Sequence, residues 1–86
     1  MIRMIVRNKV EDFARWKAVF DSQAEAARQA GLSLEQLWRG VEDANEVFFI
    51  FAVADINKAK AFLSAPDAEE TGRRAGVRDG DYWFVE

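Results

Sequence analysis

The fold of this chain is decided by one segment, Val47-Phe48-Phe49-Ile50-Phe51-Ala52-Val53-Ala54. β-Branched and aromatic residues fill both sets of alternating positions in this segment, which is typical of a strand that is covered on both faces. It is also the longest apolar run in the sequence. Since a helix needs about eighteen apolar residues or more to cross a bilayer, we predict a buried strand here and no membrane-spanning segment.

Two further strands are predicted upstream of this segment. From Ile2 to Val10 the side chains alternate in character, and a period of two is the pattern of a strand. From Leu32 to Arg39 a second strand is predicted, with Leu34, Gln36 and Trp38 on one face. Turn-forming residues separate it from the apolar segment, so these two strands should form a hairpin.

Helical periods separate the strands. Apolar residues at steps of three and four predict a first helix from Phe13 to Ala30, with Gly31 placed to end it. A second helical region is predicted in two pieces, because Ile56 to Ser64 is followed by Pro66, which starts a new helix that ends near Gly76.

The last strand is predicted at Tyr82 to Val85, after a loop bracketed by Gly76 and Gly80. The resulting order is βαββαβ, an α+β, ferredoxin-like single domain over residues 1–86 with a four-stranded antiparallel sheet. Two helical regions can cover only one face of such a sheet, yet the last two strands are apolar on both faces. We therefore predict a homodimer in which sheet packs on sheet.

Composition excludes several classes of function. The 86 residues contain twelve Lys and Arg against fifteen Asp and Glu, a net charge of −3, which argues against nucleic acid and anionic membranes as partners. There is no Cys and no His, so thiolate nucleophiles, imidazole bases and metal sites of the Cys/His kind are excluded. We expect no metal and no cofactor. The N-terminus lacks the pattern of a secretory signal, so we expect a cytoplasmic protein.

Segments along most of the chain resemble a known family. Residues 6–21, with the pattern Trp16-Lys17-x-x-Phe20-Asp21, and the acidic turn of residues 41–47 are similar to small proteins of the dimeric α+β barrel superfamily, which includes antibiotic-biosynthesis-monooxygenase-like proteins. The resemblance implies a ferredoxin-like monomer, two sheets that face each other across a dimer, and a pocket between sheet and helices. Members include cofactor-independent oxygenases, haem-degrading enzymes, isomerases, polyketide cyclases and proteins of no known activity.

Asn8 is the candidate catalytic residue. Because side chains alternate along a strand, Asn8 is expected on the same face as Val6 and Met4, at the end of the first strand. The resemblance implies a pocket position, because relatives of this subgroup carry His there and haem-degrading members have an Asn on this strand. The amide could hydrogen-bond a substrate or an oxygen intermediate. The alternative is that Asn8 only ends the strand or caps the following turn.

Four further residues are candidates for ligand binding. Trp16 and Trp38 could form aromatic walls of a pocket, although Trp16 also fits the core and Trp38 also fits a dimer interface. Arg39 could hold a carboxylate or enolate, or it could pair with the acidic loop that follows it. Tyr82 could donate its hydroxyl, or it could lie at an interface.

Three functions remain open at this stage. The first is a cofactor-independent monooxygenase or isomerase that acts on a small apolar or aromatic, enolisable compound. The second is an RNA-binding module, because βαββαβ is also the order of RNA-recognition domains; the basic residue and glycines of their signature are absent here. The third is a structural or regulatory ligand-binding dimer without turnover.

Overall fold

A four-stranded antiparallel sheet with helices packed on one side forms the architecture, as predicted. The computed structural model describes residues 1–86. The strands are β1 (Ile2–Val10), β2 (Leu32–Arg39), β3 (Glu46–Val53) and β4 (Val77–Val85). The helices are α1 (Phe13–Ser22), α2 (Ala24–Gln29), α3 (Ile56–Ser64) and α4 (Pro66–Arg74). In space the strands are ordered β2-β3-β1-β4, so the two central strands are β3 and β1. No helix is long and apolar enough to span a bilayer.

The first helical region is broken, which corrects the prediction of one helix from Phe13 to Ala30. The break falls at Gln23, between α1 and α2. There the hydroxyl of Ser22 donates a hydrogen bond to the carbonyl of Val19 at 2.6 Å, so a side chain competes with the backbone ladder. The predicted break at Pro66 is confirmed, and Gly31 and Gly76 follow the helical regions with positive φ.

The last strand is longer than predicted. β4 begins at Val77 and runs through Gly80, where the sequence indicated a loop. The reason is tertiary: β1 extends far enough to pair with this segment, with Asn8 opposite Gly80 and Lys9 opposite Asp79. Pairing with a neighbouring strand therefore overrides the local preference of glycine for turns.

A bulge in β2 changes which residues share a face. The pairing of β2 with β3 shifts between Leu34 and Gln36. Leu34 lies opposite Phe51, whereas Trp38 lies opposite Phe48, on the other side of the sheet. The prediction that Leu34, Gln36 and Trp38 share one face was therefore wrong for Leu34, because one extra residue reverses the alternation.

The inner face, the side of the sheet that faces the helices, carries the core. Its centre is aromatic: the Trp16 and Phe20 rings stack at 4.7 Å between centroids, and Phe20 meets Phe49 edge-on at 5.1 Å. The buried residues are Met4, Val6, Val10, Trp16, Ala27, Leu32, Val47, Phe49, Phe51, Val53, Ala59 and Ala75. Helix α1 is thus fixed to β3 mainly through packed rings.

The outer face, the opposite side of the sheet, has no helical cover. An outer apolar band crosses it from β2 to β4, and it consists of Trp38, Phe48, Ile50, Ile5 and Trp83. Trp38 and Trp83 are 48% and 51% exposed, and the other three are half-buried. Both faces of β3 are therefore apolar, but within one chain only the inner one is fully covered.

Ion pairs on the outer face hold β1 to its neighbours. Nη2 of Arg7 donates hydrogen bonds to Oδ2 of Asp79 at 2.9 Å and to Oδ2 of Asp81 at 2.8 Å. The hydrogen bond from Arg7 lowers the pKa of Asp79, and a hydrogen bond from Lys9 lowers the pKa of Asp43 in the β2–β3 turn. Both the Asp79 and the Asp81 carboxylates are thus partners of one arginine.

These shifts predict loss of stability in acid. A carboxyl group whose pKa is lowered by folding stabilises the fold above its unfolded pKa, about 3.9 for Asp, and this contribution is lost as pH falls through the lower folded value. With no histidine in the chain, we expect the free energy of unfolding to change little between about pH 5 and 7 and to fall below about pH 4. Urea unfolding across this range measures it.

The matched variants are Asp43→Asn with Asp79→Asn, which should flatten the acid limb of the profile. Asp67→Asn removes the same charge from a residue without an ion pair and should keep that limb. An unchanged acid limb in the double variant would show that these two carboxylates do not carry the effect.

Candidate functional site

A cavity of about 840 Å³ lies between the inner face and the helices. Nineteen of the 29 residues that line it are hydrophobic, and its volume falls within the range of about 300–1,000 Å³ typical of small-molecule sites. On the helical side, α1 and α2 supply more of the lining than α4 does. Helix α4 contributes Asp67, Ala68, Thr71 and Gly72, and no residue of this helix is buried. Its small side chains leave room above β1 and β4.

Three of the five predicted site residues meet in this cavity. Asn8, Trp16 and Tyr82 all line it, from β1, α1 and β4 respectively. Trp38 lies on the outer face, and Arg39 lies outside the cavity as well. The structure therefore brings together the predicted catalytic residue and two of the four predicted ligand-binding residues.

The Asn8 amide is a free polar group at the floor of the cavity. Asn8 is half-buried on the inner face, between Val47 of β3 and Gly80 of β4. Its side chain takes part in none of the side-chain hydrogen bonds of the molecule. It does not cap the turn into α1, because Asp12 does so by accepting a hydrogen bond from the backbone N–H of Arg15 at 2.9 Å.

Trp16 serves the core and the cavity together. The residue is only 2% exposed, and its ring packs on Phe20 and Phe49. Its indole N–H makes no hydrogen bond within the chain. Every side-chain nitrogen or oxygen atom of the molecule that is fully buried does have a hydrogen-bond partner. The indole nitrogen is therefore not sealed in the core, and the open space that this residue borders is the cavity.

Tyr82 lies at the open side of the cavity. It belongs to the edge strand β4, is 52% exposed, and packs its ring edge-on to Phe84 at 5.9 Å. Because its position is opposite Val6 on β1, the ring is on the inner face, two residues along the strand from the level of Asn8. Its hydroxyl, like the other two polar groups, has no partner within the chain.

Arg39 is engaged at the far end of β2. Its guanidinium lies over the Phe13 ring, 4.0 Å from the centroid, and its Nε donates to the carbonyl of Ala44 at 2.9 Å. It therefore contacts the following loop through a backbone carbonyl, while Asp43 of that loop pairs with Lys9. The β2 bulge accounts for the placement, because it turns Arg39 to the inner face and Trp38 to the outer one.

Several cavity residues were missed by reasoning from the sequence. The helix α4 gives no strong apolar pattern, so its small residues carried no signal of a site. Gly80 did carry one, because a glycine within a strand often marks a close approach of another group. That signal was interpreted as a loop boundary.

The site can solvate negative charge on an oxygen within an apolar enclosure. It offers an amide N–H, an indole N–H and a phenol hydroxyl, three uncharged donors whose effect is greater where water is excluded. No group of three or more His, Cys, Asp or Glu side chains is placed to hold a metal ion. The arrangement fits a ligand with an apolar aromatic body and at least one acceptor oxygen.

Comparisons with known proteins identify the fold. No family model and no curated protein sequence matches the chain. Among solved structures it is similar to SnoaB, a cofactor-independent oxygenase from Streptomyces nogalater, with 19% identity, a TM-score of 0.76, and coverage of 99% of this chain and 90% of that one. A crystal structure of an antibiotic biosynthesis monooxygenase matches with 18% identity and a TM-score of 0.71, covering 100% and 97% of the two chains.

A protein from Bordetella bronchiseptica matches with 14% identity and a TM-score of 0.79, covering 99% of this chain and 94% of that one. At these identities the likeness concerns the fold. The chain has the ferredoxin-like fold of the antibiotic biosynthesis monooxygenase structures, which is the fold that the resemblance implied.

Proposed function

We propose that this chain is a cofactor-independent monooxygenase of a small, apolar, enolisable aromatic compound, and that it works as a homodimer. The observation that carries the proposal is the cavity, apolar in most of its lining and equipped with the unpartnered donors of Asn8, Trp16 and Tyr82. The similarity in fold to SnoaB, a cofactor-independent oxygenase, supports the same reaction class.

The chemistry rests on the acidity of the substrate. A methylene group conjugated to an aromatic ketone loses a proton to water at the open side of the cavity and leaves an enolate. Hydrogen bonds from Asn8 and Trp16 to the enolate oxygen lower the cost of forming that charge. The chain has no imidazole that could act as a base near neutral pH. The role of Asn8 and Trp16 is therefore to stabilise the enolate, while water takes the proton.

Dioxygen then reacts with the enolate carbon. The electron-rich carbon forms a bond to oxygen and gives a peroxide, which takes up a proton; loss of water from this hydroperoxide leaves a second carbonyl. The sum is CH₂ + O₂ → C=O + H₂O. The substrate supplies all four electrons that reduce dioxygen, so the balance requires no other reductant.

An isomerase would use the same enolate and return the proton to a different carbon. A ligand-binding dimer without turnover would use the same donors and stop at binding. Oxygen uptake separates these alternatives from the monooxygenase, because neither of them consumes dioxygen.

The test uses anthrone, an aromatic ketone with an acidic methylene group. We expect the protein to accelerate anthrone oxidation above the rate without protein, with one atom of ¹⁸O₂ in the product. Asn8→Ala should lower kcat/KM about 10- to 100-fold, since a hydrogen bond to a charged group contributes about 1.5–3 kcal/mol. Asn8→Asp should lower it further, because a carboxylate lacks the donor and repels the enolate.

Gln36→Ala is the control, since it removes an amide from the outer face. Anthrone binding can be followed by fluorescence in a Trp38→Phe, Trp83→Phe background, in which the cavity residue Trp16 is the single tryptophan. Binding without oxygen uptake would favour the ligand-binding dimer, and equal kinetics in the two Asn8 variants and the wild type would remove Asn8 from the mechanism.

The dimer is inferred from the outer apolar band. Five large apolar residues lie side by side on one uncovered face, and soluble monomers rarely expose a continuous patch of this kind. A second copy of the chain offers an identical band, and a two-fold axis that lies between the two sheets would place band on band. The sheet-on-sheet pairing implied by the family resemblance uses this same face.

Trp83→Lys tests the dimer. A charge at the end of the band should raise the dissociation constant of the dimer about 30-fold or more, the effect expected for an aromatic residue worth at least about 2 kcal/mol at an interface. Native mass spectrometry over a dilution series measures this. Trp83 is half exposed, so the fold should survive the substitution, and circular dichroism checks that it does.

Val41→Lys is the matched control, because Val41 is fully exposed in the β2–β3 turn and lies off the band. A monomeric wild type, or a Trp83→Lys variant as dimeric as Val41→Lys, would contradict pairing through this face.

A further inference from the structure

Gly80 occupies an unusual place for a glycine. It lies within the edge strand β4, with strand residues on both sides. Glycine in a strand weakens it, because the unfolded chain gains freedom and the strand gains no side-chain packing. Only Gly31 and Gly76 have positive φ, so the backbone conformation does not require a glycine at position 80.

What requires glycine is the side chain of Asn8. A Cβ atom placed on Gly80 would stand 2.6 Å from Oδ1 of Asn8, closer than real Cβ contacts, and 3.1 Å from the carbonyl oxygen of Arg7. The two residues lie directly opposite each other on β1 and β4. The missing side chain of Gly80 is therefore the space that the Asn8 amide occupies.

We propose that Gly80 is a positioning residue that fixes the orientation of the Asn8 amide, and this rests on the proposed function. With Oδ1 lying over the backbone of Gly80, the Nδ2 end of the amide is left to donate to an acceptor on the ligand. The ligand group recognised at this point is thus a carbonyl or enolate oxygen, and a group that only donates hydrogen bonds is not accepted there.

The flanking residues keep the glycine in register. Asp79 and Asp81 stand on either side of Gly80, and both carboxylates bind Nη2 of Arg7 on the outer face. Side chains alternate along a strand, so these two residues fix β4 from the outer side while the residue between them faces the cavity. The ion pairs add cross-strand contacts to the edge strand on both sides of the glycine.

The test is a double-mutant cycle of Gly80→Ala and Asn8→Ala. The first readout is anthrone affinity, followed by Trp16 fluorescence in the background that lacks the other two tryptophans. We expect Gly80→Ala to weaken anthrone binding about as much as Asn8→Ala does, roughly tenfold for one lost hydrogen bond to a ligand oxygen. With Asn8 already replaced, Gly80→Ala should weaken binding no further.

Gly72→Ala is the matched control. Gly72 also lines the cavity, but a Cβ atom there would meet nothing within 4 Å. We expect this variant to leave the side-chain amide signals of Asn8 in place and to unfold at a higher urea concentration, because alanine favours the helix over glycine.

The second readout needs no ligand. The side-chain amide signals of Asn8 in the NMR spectrum should shift in Gly80→Ala and stay in place in Gly72→Ala. Gly80→Ala should also lower the urea midpoint more when Asn8 is present than when it is replaced. If anthrone fails to bind the wild type, the proposed function fails, while these two measurements still decide the positioning role.

The proposal would be overturned if the Asn8 signals did not move in Gly80→Ala. It would also be overturned if Gly80→Ala lowered the anthrone affinity equally in the presence and in the absence of the Asn8 side chain. Full anthrone affinity in Gly80→Ala, alongside weakened binding in Asn8→Ala, would overturn it as well.

Discussion

The structure depends on one constraint, which is that the chain has too few helical residues to cover both faces of its sheet. The 86 residues form four strands and four short helices. These four helices all pack on one face of the sheet. That face can build a closed core, because rings from α1 meet rings from β3. The other face is also apolar at its centre, since β3 carries Phe48 and Ile50 there, and no helix of the chain covers it.

The small amount of helix also accounts for the cavity. On the β2–β3 side the helical layer is anchored by large rings, chiefly Trp16 and Phe20 stacked against Phe49. On the β1–β4 side the layer is α4, whose contribution to the lining is small residues such as Ala68 and Gly72. The stacked rings of α1 therefore border the same cavity as the small residues of α4, so close packing and open volume lie side by side in one small domain.

The sequence predicted the elements better than it predicted their faces. Period and capping located the strands and helices, because those patterns are local. The bulge near Glu35 could not be seen in the sequence, since an extra residue is defined only by the partner strand. It turned Trp38 to the outer face, whereas Arg39 lies on the inner face but beyond the cavity. Asn8 and Trp16 were placed in the cavity because the pairing of β1 is regular as far as Lys9 and α1 is unbroken from Phe13 to Ser22. Gly80 was misread for the same reason as the bulge: the group that requires it is 72 positions away in the sequence.

Arg7 links the outer apolar band to the cavity through the two aspartates that flank Gly80. It lies on the outer face next to the outer apolar band, and its two aspartate partners flank the glycine that makes room for Asn8. When a second copy covers the outer face, water is removed from around this cluster, and an ion pair in a drier environment holds its geometry more tightly. Desolvation also has a cost, which the several hydrogen bonds to Arg7 offset. Covering the outer face should therefore stiffen the stretch of β4 around Gly80 and, through it, the amide in the cavity. Assembly and site are then two consequences of one strand pairing, in which β4 presents carboxylates to the outer face and a vacant position to the inner one.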